Sequence, residues 1–131
     1  MKQVLRNKDK GTALERYYKS FFHAIDGIVY SIKYEHNMII IIIAAILCII
    51  AGILFKINES EWLFCILIIG MVIASELINT AIEATIDLET TKMHPLAKIA
   101  KDTASSATLV LSITSFIGAV VIFVPKVIEL L

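Results

Sequence analysis

The stretch W-L-F-C-I-L-I-I-G-M-V-I-A-S-E-L-I-N-T-A-I-E-A-T-I-D, residues 62–87, decides how this chain is read. From Trp62 to Ala74 it is an apolar run of the kind that crosses a bilayer. The same apolar pattern continues to Asp87 but now carries Glu76, Glu83 and Asp87, with Asn79 and Thr80 among them. At about 100° per residue, Glu76, Asn79, Glu83 and Asp87 fall within about 80° of arc, with Thr80 just beside them. Each carboxylate facing hydrocarbon near mid-bilayer costs about 2.5–3.5 kcal/mol, and grouping them adds repulsion unless a cation joins them. With Trp62 at the outer interface, Glu76 lies roughly 21 Å in and Asp87 roughly 38 Å along the helix. The column therefore runs from inner-leaflet depth into cytoplasmic water.

The rest of the chain fits a membrane reading. Its 131 residues suit one domain, yet they are 58% hydrophobic and 18% charged, with mean hydropathy +0.82. A soluble domain sits nearer half apolar and a quarter charged. Residues 38–55, M-I-I-I-I-I-A-A-I-L-C-I-I-A-G-I-L-F, carry no charge at all and are long enough to span. A chain this short has too little other sequence to bury several such helices in a soluble core. The formal net charge of zero gives no reason to invoke nucleic acid. Cys48 and Cys65 sit inside apolar runs without C-x-x-C spacing and read as packing residues. The start of the chain has no secretory signal pattern.

Four helices are expected, in an all-α membrane protein. Residues 1–12 read as a loose polar tail. Over 14–34, apolar residues at Leu14, Tyr17, Tyr18, Phe21, Phe22, Ile25, Ile28, Val29 and Ile32 step by three and four, an amphipathic stripe suited to the membrane interface or to a partner helix. The spans are expected within 37–55, 62–87 and 95–125. Pro95 suits a first helical turn, and Pro125 suits an end. Lys2, Arg6, Lys8, Lys10, Arg16, Lys19 and Lys33 precede the first span, Lys56 lies in the first connection, Lys92, Lys98 and Lys101 follow the second span, and Lys126 lies at the end. The positive-inside rule then puts the N-terminus and the second connection in the cytoplasm and the C-terminus outside.

On the third helix Lys98, Lys101, Asp102, Ser105 and Ser112 fall on a common side. Ala100, Ala104, Ser105, Ser106 and Ala107, with Ala81 and Ala84 opposite, allow close approach of two backbones. Three chemistries suit this arrangement. The carboxylates pair with Lys98 and Lys101 simply to join helices; or they line an ion or proton pathway; or they hold Mg²⁺ together with substrate phosphates while a desolvated carboxylate serves as general base. There is no G-x-x-x-x-G-K-[ST], G-x-S-x-G or H-E-x-x-H.

The two linked motifs S-E-L-I-N-T-A-I-E-A-T-I-D and H-P-L-A-K-I-A-K-D-T-A-S-S-A resemble the small prokaryotic integral-membrane diacylglycerol kinase family. The H-P-L-A-K form, with E-H-N-M before the first span, looks most like its undecaprenol kinase branch. The resemblance implies a homotrimer of three-span subunits, each with an N-terminal surface helix, moving the γ-phosphoryl of MgATP to a membrane lipid alcohol at the cytoplasmic interface. Undecaprenol is the implied acceptor and diacylglycerol the alternative. By motif, Glu76 is then the general base, oriented together with its neighbours by Asn79, and Glu35 and Glu83 hold Mg²⁺ on the ATP phosphates. Lys101 and Asp102 contact the nucleotide, Ser105 lies near the lipid, and Arg16, His23, Lys92 and His94 occupy nucleotide-side positions. Asp87 either reaches the nucleotide or caps its helix.

Overall fold

The structure is a computed structural model that describes residues 12–89 and 94–130. Most of the expected tail, and Lys92 in the second connection, lie outside those residues. Four helices follow in order: α1 (Ala13–Tyr34), α2 (His36–Leu54), α3 (Glu59–Glu89) and α4 (Pro95–Ile128). The last three are each long and apolar enough to cross a membrane.

Each boundary has a local cause. Thr12 caps α1: its hydroxyl accepts from the Glu15 N–H while the Glu15 carboxylate accepts from the Thr12 N–H, a reciprocal box. A single extended residue, Glu35, separates α1 from α2, with its own N–H still bonded to the Ser31 carbonyl at 2.8 Å. The α2–α3 turn passes through Lys56, whose φ of 49° lies in the left-handed region. Asn58 and Glu61 then exchange side-chain-to-backbone bonds of 3.0 and 2.7 Å at the head of α3. His94 caps α4, its Nδ1 accepting from the Leu96 N–H at 3.2 Å, and Pro95 follows where a missing N–H costs nothing. α4 runs on to Ile128, past the end expected near Pro125. The proline sits within the final turn, where the one bond it removes breaks little of the helix.

α3 is the central helix. Cys65, Ile68, Val72, Glu76, Asn79 and Thr80 are its buried residues, stepping by three and four along one face. Glu76 and Asn79 of the carboxylate column thus lie on the packing face. α4 lies along α3 over much of its length. Near the α2–α3 turn, the Trp62 ring packs against Gly52 of α2, and Phe64 packs against Gly118 of α4. A partly buried Lys126–Glu61 ion pair of 3.2 Å joins α4 to the start of α3. Ser75 donates to Thr108 at 3.2 Å and marks mid-height. α1 lies beside the other end of α3, where His23, Gly27 and Ser31 face Thr80, Ala81 and Ala84 across a groove. Elsewhere the long helices present Ile, Leu, Val and Phe outward, as lipid-facing helices do.

Candidate active site

Glu76 is 1% exposed, and neither of its carboxylate oxygens has a hydrogen-bond partner. A buried group left so is costly, and in a native structure it marks a place where a ligand or water belongs. Beside it lies a chamber of about 430 Å³, lined by Glu76, Asn37, Asp102, Ser105, Ser106 and Thr108. Ile40, Ile41 and Ser112 line this chamber and also an apolar cleft of about 310 Å³ that continues between α2, α3 and α4 toward Cys48 and Cys65. A polar chamber holding the buried carboxylate and an apolar cleft therefore meet at Ile40, Ile41 and Ser112.

One turn along α3, Asn79 is buried and donates through Nδ2 to Glu83 Oε1 at 3.1 Å, a bond that the i, i+4 spacing makes available. Its Oδ1 has no partner. Glu35 reaches the same region from the α1–α2 joint and is half-buried. Burial, then the nearby carboxylates of Glu83 and Glu76, push the Glu35 carboxyl above its ordinary range. Three carboxylates from two sequence regions thus share one field. Among the described residues no three His, Cys, Asp or Glu side chains stand close enough to cage a metal ion by themselves. Such a donor set fits a hard divalent ion that takes one or two carboxylates and leaves its other positions to water and phosphate.

Of the two lysines, one pairs the helices and the other pairs within its own helix. Lys101 Nζ bonds Asp87 Oδ1 at 2.5 Å across α4 and α3, and also lies in the field of Glu83. Lys98 bonds Asp102 at 2.6 Å on its own helix. Neither is bonded to Glu76 or Glu83. Asp87 ties α3 to α4 through this bond. Ser105 and Asp102 face the chamber with Glu76. His23 borders the α1–α3 groove, 3.8 Å from Asp26. Arg16 is exposed near the start of α1. His94 is used as a helix cap.

Two chamber residues escaped the sequence reading. Thr108 stands three residues after Ser105 and four before Ser112, so its phase on α4 could have disclosed it. Asn37 lies in the E-H-N-M quoted above, two residues after Glu35, but a polar residue at a span's entry reads as interfacial.

The comparisons agree with this geometry. The family model for prokaryotic diacylglycerol kinase matches residues 22–123. An undecaprenol kinase of Bacillus subtilis is 43% identical over 120 residues, covering 92% of this chain and 98% of that protein. A diacylglycerol kinase of Helicobacter pylori is 37% identical over 101 residues, 77% of this chain and 79% of its own length. Another diacylglycerol kinase, from Synechocystis sp., is 31% identical over 113 residues, 86% of this chain and 65% of its own. The matched span contains α2, α3 and most of α1 and α4, and so every carboxylate of the cluster: the chain belongs to the prokaryotic diacylglycerol kinase family.

Proposed function

We propose that this protein is an ATP-dependent lipid kinase that transfers the γ-phosphoryl of MgATP to undecaprenol, supplying undecaprenyl phosphate for cell-envelope synthesis. It works as a multi-pass membrane protein with a cytoplasmic N-terminus, in a homotrimer, with α1 lying in the interface. The observation that carries the reading is Glu76, buried with two unpartnered oxygens on a polar chamber that shares Ile40, Ile41 and Ser112 with an apolar cleft. A lipid alcohol has that same division between a hydroxyl and a hydrocarbon chain.

Glu76 accepts the proton of the lipid hydroxyl, its two unpartnered oxygens being available to an alcohol that enters the chamber it lines. Ser105 stands beside it to receive the lipid head. Asn79 fixes Glu83 through its amide, and Glu83 with Glu35 would hold Mg²⁺. When bound, that ion supplies charge neutralisation for the phosphates. Lys101 and Asp102 meet the nucleotide from α4; Arg16, His23, Lys92 and His94 complete its side of the site. Water is kept from the reacting centre by the burial of Glu76 and by the apolar cleft behind it.

Diacylglycerol is the second acceptor to weigh, because relatives at 31% and 37% identity carry that name. The undecaprenol reading rests on the higher identity and nearly full coverage of the Bacillus protein. An ion or proton pathway is disfavoured by what lies outward of Glu76: the packing face continues as Val72, Ile68 and Cys65, which offer a hydrated ion no ligands. The test is transfer of label from γ-labelled ATP with Mg²⁺ to undecaprenol and to diacylglycerol, side by side in mixed micelles. Label chiefly on undecaprenol is expected. A reversed preference moves the assignment to diacylglycerol, and label on neither from folded protein rejects the kinase reading.

A further inference from the structure

We propose that Asp87 is a positioning residue that holds Lys101 away from Glu83, keeping Glu83 free to take a divalent cation. The inference rests on the kinase reading. Lys101 is a flexible cation on α4, bonded to Asp87 at 2.5 Å and within the field of Glu83. Asp87 and Glu83 are one turn apart on the same face of α3, so the ammonium chooses between two carboxylates of one column. Glu83 is already tied on one side by Asn79. Were Lys101 to join it, its charge would be cancelled and its remaining oxygen occupied.

The Asp87 pair makes little sense as a stabilising device. Its side chains are 35% and 65% exposed, and pairs so solvated contribute little to stability. Its effect is on where a charge sits. Anchored to Asp87, Lys101 keeps two of its three N–H donors for phosphate oxygens at the cytoplasmic mouth. Released, its stem is free to swing one turn deeper onto Glu83.

The test uses the full-length protein in nanodiscs. Mn²⁺ binding is titrated by electron paramagnetic resonance in the presence of a non-hydrolysable ATP analogue, alongside phosphoryl transfer to undecaprenol. Asp87→Asn is expected to weaken Mn²⁺ binding about three- to fivefold. It should raise the Mg²⁺ needed for half-maximal transfer to match, while leaving the lipid KM, the thermal midpoint and kcat at saturating Mg²⁺ near wild type. Asp87→Glu should restore the affinity. With Lys101→Met in place, Asp87→Asn should have no further effect on Mn²⁺ binding, and this comparison holds even if the single variant loses stability. Unchanged Mn²⁺ binding in Asp87→Asn, or additive effects with Lys101→Met, overturns the proposal. A wild type that transfers no label fails the kinase reading instead, which the same preparation reports separately.

Discussion

At Glu76 the unpartnered oxygens and the burial point to one consequence for substitution. Glu76→Gln keeps the volume and removes a desolvated charge, so the fold should survive with a thermal midpoint equal to or above wild type. Loss of a general base should lower transfer by at least about a hundredfold. Radiolabel transfer and a thermal melt on the same sample check both, and loss of fold would instead make Glu76 a helix-pairing group. Glu35 makes a pH prediction. Its carboxyl titrates above the ordinary range, so between its unfolded and folded pKa values the native state binds more protons than the unfolded one. Stability of the nucleotide-free protein therefore falls as pH rises through that window and is regained on acidification. Cation binding runs the other way, needing Glu35 ionised, and is lost at a higher pH than an ordinary glutamate would give. Glu35→Gln should flatten the melting temperature against pH between mildly acid and neutral conditions. An unchanged profile would remove Glu35 from the carboxylate field.

Among the elements, the α2–α3 hairpin is the most tightly specified. A Cβ on Gly52 would lie 2.8 Å from the far edge of the Trp62 ring and 3.0 Å from Ile57. Gly52→Ala should therefore cost about 1–3 kcal/mol, the usual price of overpacking, and Trp62→Phe in the same chain should recover part of it. Melts of the single and double variants decide this; additive losses would show that the contact is not limiting. The carboxylate column was legible because an amphipathic period is visible wherever polar groups interrupt an apolar helix. The helices were legible from run length and from Pro95. Glu35 was named only through the family resemblance, because nothing local shows that a one-residue joint turns α2 back beside α3. Nor were the partners of Lys98 and Lys101, since helical phase orders residues around an axis but does not say which of two carboxylates a long flexible stem will reach. Glycine against Trp62 was equally hidden, being a contact across a turn.

For the whole molecule, the site has to be reached from two phases. Glu76 lines the chamber that adjoins the apolar cleft, while Glu35, Asp87 and Lys101 lie at the helix ends on that same side. The opposite end holds Trp62, the Lys126–Glu61 pair and the Phe55–Phe123 contact. In the proposed function nucleotide enters at the end from which α2 starts and α3 finishes. The proposed topology puts that end in the cytoplasm, because the basic residues cluster before α2 and in the stretch from Lys92 to Lys101. Orientation and catalysis are thereby linked in one measurement. ATP is a polyanion that does not cross a sealed bilayer, whereas the lipid acceptor is already within it. Inverted membrane vesicles given external ATP should phosphorylate undecaprenol without detergent. Right-side-out vesicles from the same cells should be almost silent until detergent opens them, and then reach the same rate. Equal activity in both sealed preparations would mean mixed orientation. Activity confined to right-side-out vesicles would place the carboxylate mouth outside the cell and would contradict the charge-based topology together with the cytoplasmic source of ATP.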